Sequence, residues 1–415
     1  MRSAGRLAVC LLLLSLPAIL GAELSPRTDS DGIIRIIHIG KAWLYANYPA
    51  SVWVKDPRLD WYPVPSHAWS MGEEAFRMLR LYLPRSEEIL YNDFDVIVED
   101  GMDASHLRPE FHVWMAKAIE EEGLGFIMAD DSSSFATSGR HTSWYLYPIG
   151  DVLPVSDVAQ IFREHHGYTV VPKPEFRDHP LLRSIPWNEI RIWAHNRPDP
   201  KPGSTVLAEC SREIVWNRDK PVVVYWDTET GRSVAYVHKW HGTPNDPGGD
   251  IPGNEEFYRW KWHPDLIYNL IYWPARVPIP KDLVTVHTIR LQLNAFNYKR
   301  LYAVSAMEFA DKFGANLRTA EEKMARLLER KEVADEAYLA AELDACLLDL
   351  ESLLAEMDAL TREVLAAREK AMLWIFLAEW LAVSATGMLA GFVVWTLMVR
   401  RRLYREVGVT RIYEI

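Results

Sequence analysis

The chain has little cysteine, no glycosylation triplet and no surplus of positive charge. Three cysteines occur in 415 residues, at positions 10, 210 and 346. Cys10 falls in an apolar leader and Cys346 in a helical apolar stripe, so Cys210 stands alone in the bulk of the chain. That excludes a disulfide framework, whatever the redox compartment. No Asn-x-Ser/Thr triplet occurs. Lys and Arg number 46 against 57 Asp and Glu, a net charge of −11. Arginine concentrates in the last residues rather than over a broad face, which argues against a nucleic-acid partner.

One long run is almost free of charge. Residues 371–399, AMLWIFLAEWLAVSATGMLAGFVVWTLMV, carry only Glu379. About 20 apolar residues suffice to cross the hydrocarbon core as a helix, which satisfies every backbone polar group internally. Arg400, Arg401, Arg402 and Arg405 follow at once, and such a cluster marks the cytoplasmic side. Glu379 near the outer end is expected at the interface or against a partner helix. At the other terminus Arg2 and Arg6 precede the apolar run 7–20, and Leu20-Gly21-Ala22 ends in small residues. This is the three-part pattern of a signal peptide, cleaved after Ala22; an uncleaved anchor is the alternative, although the run is short for spanning. The implied topology puts residues 23–370 outside the cytoplasm and the tail 400–415 inside, bound to the bilayer as its first partner.

Between these ends the pattern is that of an α/β domain. Residues 33–39 (IIRIIHI) form a nearly continuous β-branched run, as a strand covered on both faces should. Residues 40–70 read as a long aromatic loop. A helix is predicted over 73–83, a strand over 94–98 (FDVIV), a helix over 109–122, and a short strand over 126–129. Candidate strands follow at 169–171 and 205–208. Residues 221–226 and 233–237 flank a turn-rich hexapeptide and predict a hairpin. A helical segment is expected over 257–273, and 274–280 (PARVPIP) is the expected domain boundary. Strands alternating with helices predict a doubly wound, flavodoxin-like sheet over 31–280. Ligands in such domains gather beyond the carboxyl ends of the strands. Here those ends carry Lys41 and Trp43, then Glu99 and Asp100, then Asp130, Asp131 and Ser132.

The segments 33–40, 94–100, 123–135 (GLGFIMADDSSSF), 179–187 (an HP…IPW segment), 231–240 (a GR-V-Y-x-H strand) and 266–273 come in a familiar order. In that order the chain resembles the class I glutamine amidotransferase-like superfamily, in its ThuA-like branch, over residues 31–275. The resemblance implies the doubly wound fold and, in catalytic members, a nucleophilic cysteine at the turn after the glycine-led strand. The corresponding turn here is Ala129-Asp130-Asp131-Ser132, with no cysteine. Acyl transfer from glutamine needs an activated thiolate there, and a carboxylate is a poor substitute. Glutaminase activity is therefore not expected.

Asp130, Asp131 and Ser132 could hold a metal or a polar ligand, although Asp and Ser at such a turn also serve simply as helix caps. Ser132 as a hydrolase nucleophile lacks the flanking glycines of an elbow. His238, His241 and His263 lie near Asp246, Asp250 and Asp265 and are the candidate metal ligands, set against solvent-exposed loop histidines. The resemblance makes His238 the best single candidate for chemistry. Candidate ligand-binding residues are Lys41, Trp43, Asp100, Asp130, Ser132 and His238. No organic cofactor is called for. Fourteen tryptophans between Trp43 and Trp273 could stack on sugars, which the resemblance to ThuA-like proteins favours; packing of the core is the competing use.

From residue 294 onward Gly and Pro nearly vanish. Tyr302, Ala306, Phe309, Phe313, Leu317, Ala320, Met324 and Leu327 recur at three or four. So do Leu343, Cys346, Leu350, Leu353, Met357, Leu360, Val364, Ala367 and Ala371, a coiled-coil seam. Two helices are predicted, 294–330 and 334 onward, broken within 329–336. This antiparallel hairpin over 294–370 would set the globular domain near the membrane. The seam could close within the chain or on another protein, and Gly387 with Gly391 forms a G-x-x-x-G that lets two spans approach. The expected function is ligand binding or scaffolding in a cell-surface complex. The alternative is an extracytoplasmic hydrolase or metal-dependent enzyme acting on a small polar or carbohydrate substrate.

Overall fold

In a computed structural model of the chain, the described residues are 26–28, 31–42, 44, 49–66, 73–129, 143–156, 161–189, 191–196, 198–211, 220–238, 240 and 260–410. Eleven strands occur among them: β1 (Ile34–Gly40), β2 (Leu59–Pro65), β3 (Val96–Asp100), β4 (Gly125–Ala129), β5 (Val155–Ser156), β6 (Ile161–Pro172), β7 (Arg191–Asn196), β8 (Asp199–Pro200), β9 (Thr205–Cys210), β10 (Pro221–Asp227) and β11 (Arg232–Tyr236). Nine make one sheet in the order β2-β1-β3-β4-β11-β10-β9-β6-β7. From β2 to β11 every pairing is parallel; from β11 to β7 every pairing is antiparallel.

The helices of this domain are α1 (Pro49–Trp53), α2 (Glu73–Tyr82), α3 (Glu87–Asp93), α4 (Pro109–Glu120), α5 (Pro180–Arg183) and α6 (His263–Tyr272). They cover both faces of the sheet. Ile34, Ile36, Val96, Val98, Ile127 and Val234 pack with Trp53 and with Leu266, Ile267, Leu270 and Ile271 of α6. The alternate residues Ile37, Ile39, Ile97, Phe126 and Met128 pack with Leu79, Leu90, Phe111, Met115 and Ile119 of α2 to α4. Burial on both sides is why these strands are continuous aliphatic runs.

The region expected to be one long aromatic loop holds α1 and β2. β2 (LDWYPVP) has prolines at 63 and 65. An edge strand tolerates them because one side of its backbone needs no partner, and β2 is the sheet's edge.

Three helices follow: α7 (Leu283–Asp311), α8 (Arg318–Leu339) and α9 (Leu343–Thr410). The expected two-helix hairpin is thus corrected. Residues 329–336 are uninterrupted helix, and the breaks fall at 312–317 and 340–342. At the first, Gly314 has φ +70°, its N–H donates to the Asp311 carbonyl (2.7 Å), and the Ala315 N–H donates to the Ala310 carbonyl (3.2 Å). That is a Schellman stop with glycine at the left-handed position. At the second, Ala341 takes the same role at φ 62°, with Glu342 N–H to Ala337 O (2.9 Å) and Ala341 N–H to Tyr338 O (3.1 Å).

The bundle seam contains Ile289, Leu293, Phe296 and Ala303 of α7. It adds Ala320, Met324 and Leu327 of α8, and Cys346, Leu350, Leu353, Met357, Leu360 and Val364 of α9. The α8 and α9 series match the sequence pattern. Tyr302 and Phe309, expected in the seam, are exposed on α7.

α8 ends at the α/β domain, so α9 begins there. Arg58 donates to the carbonyls of Tyr338 (3.0 Å) and Leu339 (2.8 Å). Beside it Arg290 of α7 is buried. It donates to Asp265 (2.6 Å), Tyr338 OH (3.2 Å) and Tyr272 OH (3.3 Å), and lies over the Tyr268 ring at 4.0 Å. Tyr338 and Tyr272 donate in turn to Asp56 (2.8 and 3.2 Å). His287 sits 2.6 Å from the second oxygen of Asp265. One buried guanidinium faces two fully buried carboxylates, and this joint fixes the stalk to the domain.

α9 then runs outward with no break. Its candidate membrane window is fully exposed to the surroundings and is long and apolar enough to cross a bilayer. From Leu343 to residue 370 it is about 42 Å long at 1.5 Å per residue. The domain therefore sits at the end of the bundle away from the apolar segment, not beside it as the hairpin scheme required.

Candidate functional site at the strand ends

Connections leave β1 for β2 on one side and later return for β3 on the other, so β1 and β3 flank the point where the strand order reverses. A crevice outside the carboxyl ends of such a pair is where open α/β sheets bind ligands. The backbones meet closely there. Gly40 has φ +120°, and a Cβ built on it would lie 2.1 Å from the Asp100 carbonyl oxygen. Lys41 N–H donates to that same carbonyl (2.8 Å), and Ser66 N–H donates to Gly40 O (2.8 Å).

The side chains at this edge are polar and buried: His38, Lys41, Glu99, Asp100 and His238 are each at most 5% exposed. Charged groups are not buried without a use or a partner. His38 and Asp100 follow the parity of Ile34, Ile36, Val96 and Val98, and so face α1 and α6. The indole N–H of Trp61 donates to His38 Nδ1 (3.2 Å). An indole can only donate, so Nδ1 accepts and the ring proton sits on Nε2. That nitrogen faces Asp100 Oδ2 at 3.4 Å, with both side chains fully buried. Trp53 stands edge-on to His38 (5.0 Å between ring centroids) and to Trp240 (5.6 Å). Glu99 points to the other face, where Oε1 accepts from Met102 N–H (2.8 Å) and shapes the turn after β3.

With Nδ1 taken by Trp61, His38 has no second nitrogen with which to relay a proton from Asp100 to a substrate. It orients the carboxylate. An Asp–His pair of this kind presents a fixed acceptor; it does not by itself supply a nucleophile.

Of the residues singled out in the sequence, Lys41, Asp100 and His238 share this edge. Trp43, Asp130, Asp131, Ser132 and His241 lie outside the described residues. The β11–β4 register ends at Tyr236 paired with Ala129; His238 follows two residues on and is buried. His263 belongs elsewhere. Its Nε2 donates to the Trp240 carbonyl (3.1 Å), and burial pushes its pKa down to about 4, so the ring stays neutral and pins Trp240. Among the described residues no group of three or more His, Cys, Asp and Glu could hold a metal ion.

His38, Trp53, Trp61 and Trp240 were missed as a unit. The available signal was a lone histidine near the end of an otherwise aliphatic strand. Two other histidines, one buried and one partly buried, are structural. His112 Nε2 bonds the Ala104 carbonyl (2.9 Å) and its ring stacks on Tyr147, while His179 caps α5 through the Leu181 N–H (3.3 Å).

No family model matches the chain, and no curated protein matches it significantly. Among solved structures, "Cytoplasmic Protein STM3548 from Salmonella typhimurium" is similar at 14% identity and a TM-score of 0.45, covering 58% of this chain and 99% of its own. "Cytoplasmic Protein STM1381 from Salmonella typhimurium LT2" is similar at 17% identity and a TM-score of 0.44, with the same coverage. At that level of similarity neither neighbour bears on the reading of the site.

Proposed function

We propose that this chain is a single-span membrane protein whose α/β domain binds a small polar ligand at the carboxyl edge of β1, β3 and β11. It does so without acyl-transfer chemistry, within a cell-surface complex. The observation that carries the reading is the buried Trp61–His38–Asp100 chain, which fixes a carboxylate at the strand reversal but leaves no ring nitrogen of His38 to act on a substrate. The parallel order β2-β1-β3-β4-β11 supports a flavodoxin-like domain and, with it, the amidotransferase-like resemblance. The turn after β4 has aspartates where that family's catalytic members place cysteine. The apolar segment of α9 followed by four arginines supports an outward domain and a cytoplasmic tail. Gly387 and Gly391 have open space where a Cβ would be. At about 100° per residue they lie opposite the Cys346–Val364 seam, free to meet a second span.

The test is a thermal-shift screen of polar metabolites and sugars on the full chain in detergent, with Asp100→Asn in parallel. Ligands that raise Tm in the native chain and not in the variant support the reading. Ligands that act equally on both would remove Asp100 from the site.

One observation favours a second reading, a hydrolase or metal-dependent enzyme: His238 is buried just past β11, the strand that pairs with β4, and β4 is followed in sequence by Asp130-Asp131-Ser132. Elemental analysis of the full chain decides it. Stoichiometric zinc lost in His238→Ala would establish the enzyme reading, and its absence would retire it.

A further inference from the structure

The registers within the bundle locate its far end against the apolar segment. α7 runs parallel to α9: Lys299 pairs with Asp358 (2.5 Å), and Arg368 lies over the Phe309 ring at 6.0 Å. Both contacts join residues 59 apart in sequence. Carried four residues on, this register sets Phe313 level with Met372. α8 runs antiparallel to α9, with Lys323 on Glu363 (2.6 Å) and Arg330 on Glu356 (2.6 Å). Carried back to its start at Arg318, that second register reaches Arg368, and the end of α7 at Asp311 reaches Lys370 on the first. Two independent alignments therefore place the α7–α8 turn beside the first residues of the apolar run, Met372, Leu373 and Trp374.

The turn suits that place. Phe309 is 43% exposed, and its ring meets Phe313 edge-on at 4.9 Å. Phe313 itself is partly exposed. By these registers Lys312, Arg318, Arg368 and Lys370 fall at nearly one level, with Asp311 and Glu369 among them. Aromatic rings with basic neighbours are the side chains that settle at the boundary of headgroups and hydrocarbon.

We propose that the α7–α8 turn is a second membrane contact, with Phe313 and the edge of Phe309 seated in the interfacial region of the bilayer and the basic residues among phosphate headgroups. The bundle then stands on the membrane on a span and a turn rather than on a span alone. This rests on the reading of α9 as membrane-spanning.

The test is site-directed spin labelling of the full chain reconstituted in phosphatidylcholine–phosphatidylglycerol vesicles, on a Cys10→Ser background. The buried Cys210 and Cys346 serve as the unlabelled blank. Phe313→Cys is compared with Leu389→Cys in the span and Glu351→Cys on the outer, exposed side of α9. Power saturation by oxygen against a water-soluble nickel chelate reads the depth. The expected result is oxygen-favoured relaxation at 313, intermediate between 389 and 351. A label at 313 as accessible to nickel as that at 351, with 389 lipid-exposed, overturns the proposal and leaves the span intact. Nickel access at 389 as well overturns both.

Discussion

Arg290→Met tests the joint between domain and stalk most directly. The guanidinium donates to Asp265, Tyr338 and Tyr272 and lies 3.4 Å from Asp56, and both carboxylates are fully buried. Methionine fills similar space but leaves both acids without their cation. Removing one partner of a buried pair costs about 3–5 kcal/mol, most of it the penalty of the orphaned charge. At 1.4 kcal/mol per power of ten, opening of the joint should rise by roughly two to three and a half powers of ten. Hydrogen exchange of peptides spanning residues 336–346, in the full chain in micelles, reads this directly, because α8 ends and α9 begins there. The double variant Arg290→Met with Asp265→Asn should recover at least about 1 kcal/mol, since it removes one of the two stranded charges. Exchange within threefold of the native chain, or a double variant worse than the single one, would refute the electrostatic account.

Other perturbations follow from particular geometries. Gly40→Ala meets both a disallowed φ and the Asp100 backbone, and should cost about 3 kcal/mol or more; a Tm within 2 °C of native, by the rough scale of a few degrees per kcal/mol, would contradict it. Ala341→Gly relieves a left-handed alanine at the α8–α9 stop and should stabilise by up to about 1 kcal/mol in denaturant unfolding, where a loss of stability would count against the strain. Acid should weaken the domain. Burial holds the pKa of His112 and His263 at about 4, against 6.5 for a free imidazole. The unfolded chain therefore binds more protons between those values. The stability contribution is complete above pH 6.5 and is lost as pH falls toward 4, by up to about 3 kcal/mol for each ring. Melting curves at pH 7 and pH 4.5 measure it, and a flat profile would show these rings protonate without cost.

The elements that the sequence made legible are those whose own side chains decide them. β1, β3 and β4 are buried on both faces and so are unbroken aliphatic runs. β10 and β11 pair across a turn of the right composition, as expected. The seam of α9, Cys346 to Val364, repeats without interruption. What was not legible depended on partners. β2 reads as a loop because its prolines are acceptable only at an edge, and the edge is a property of the sheet. The break in the stalk was sought in the charged stretch 329–336, but that stretch is uninterrupted helix and the stops are Gly314 and Ala341. His38 reads only as part of the run 33–39, since Asp100 and Trp61 reach it from two other strands.

The uninterrupted course of α9 has a consequence for encounter. No hinge separates the joint from the apolar segment, so the joint is held about 42 Å along α9 from the first apolar residues at 1.5 Å per residue. On the proposed spanning reading, the domain would be carried at a set distance from the bilayer. A ligand lying flat on the lipid would then fall short of it, and anything the domain meets would have to reach out to that distance.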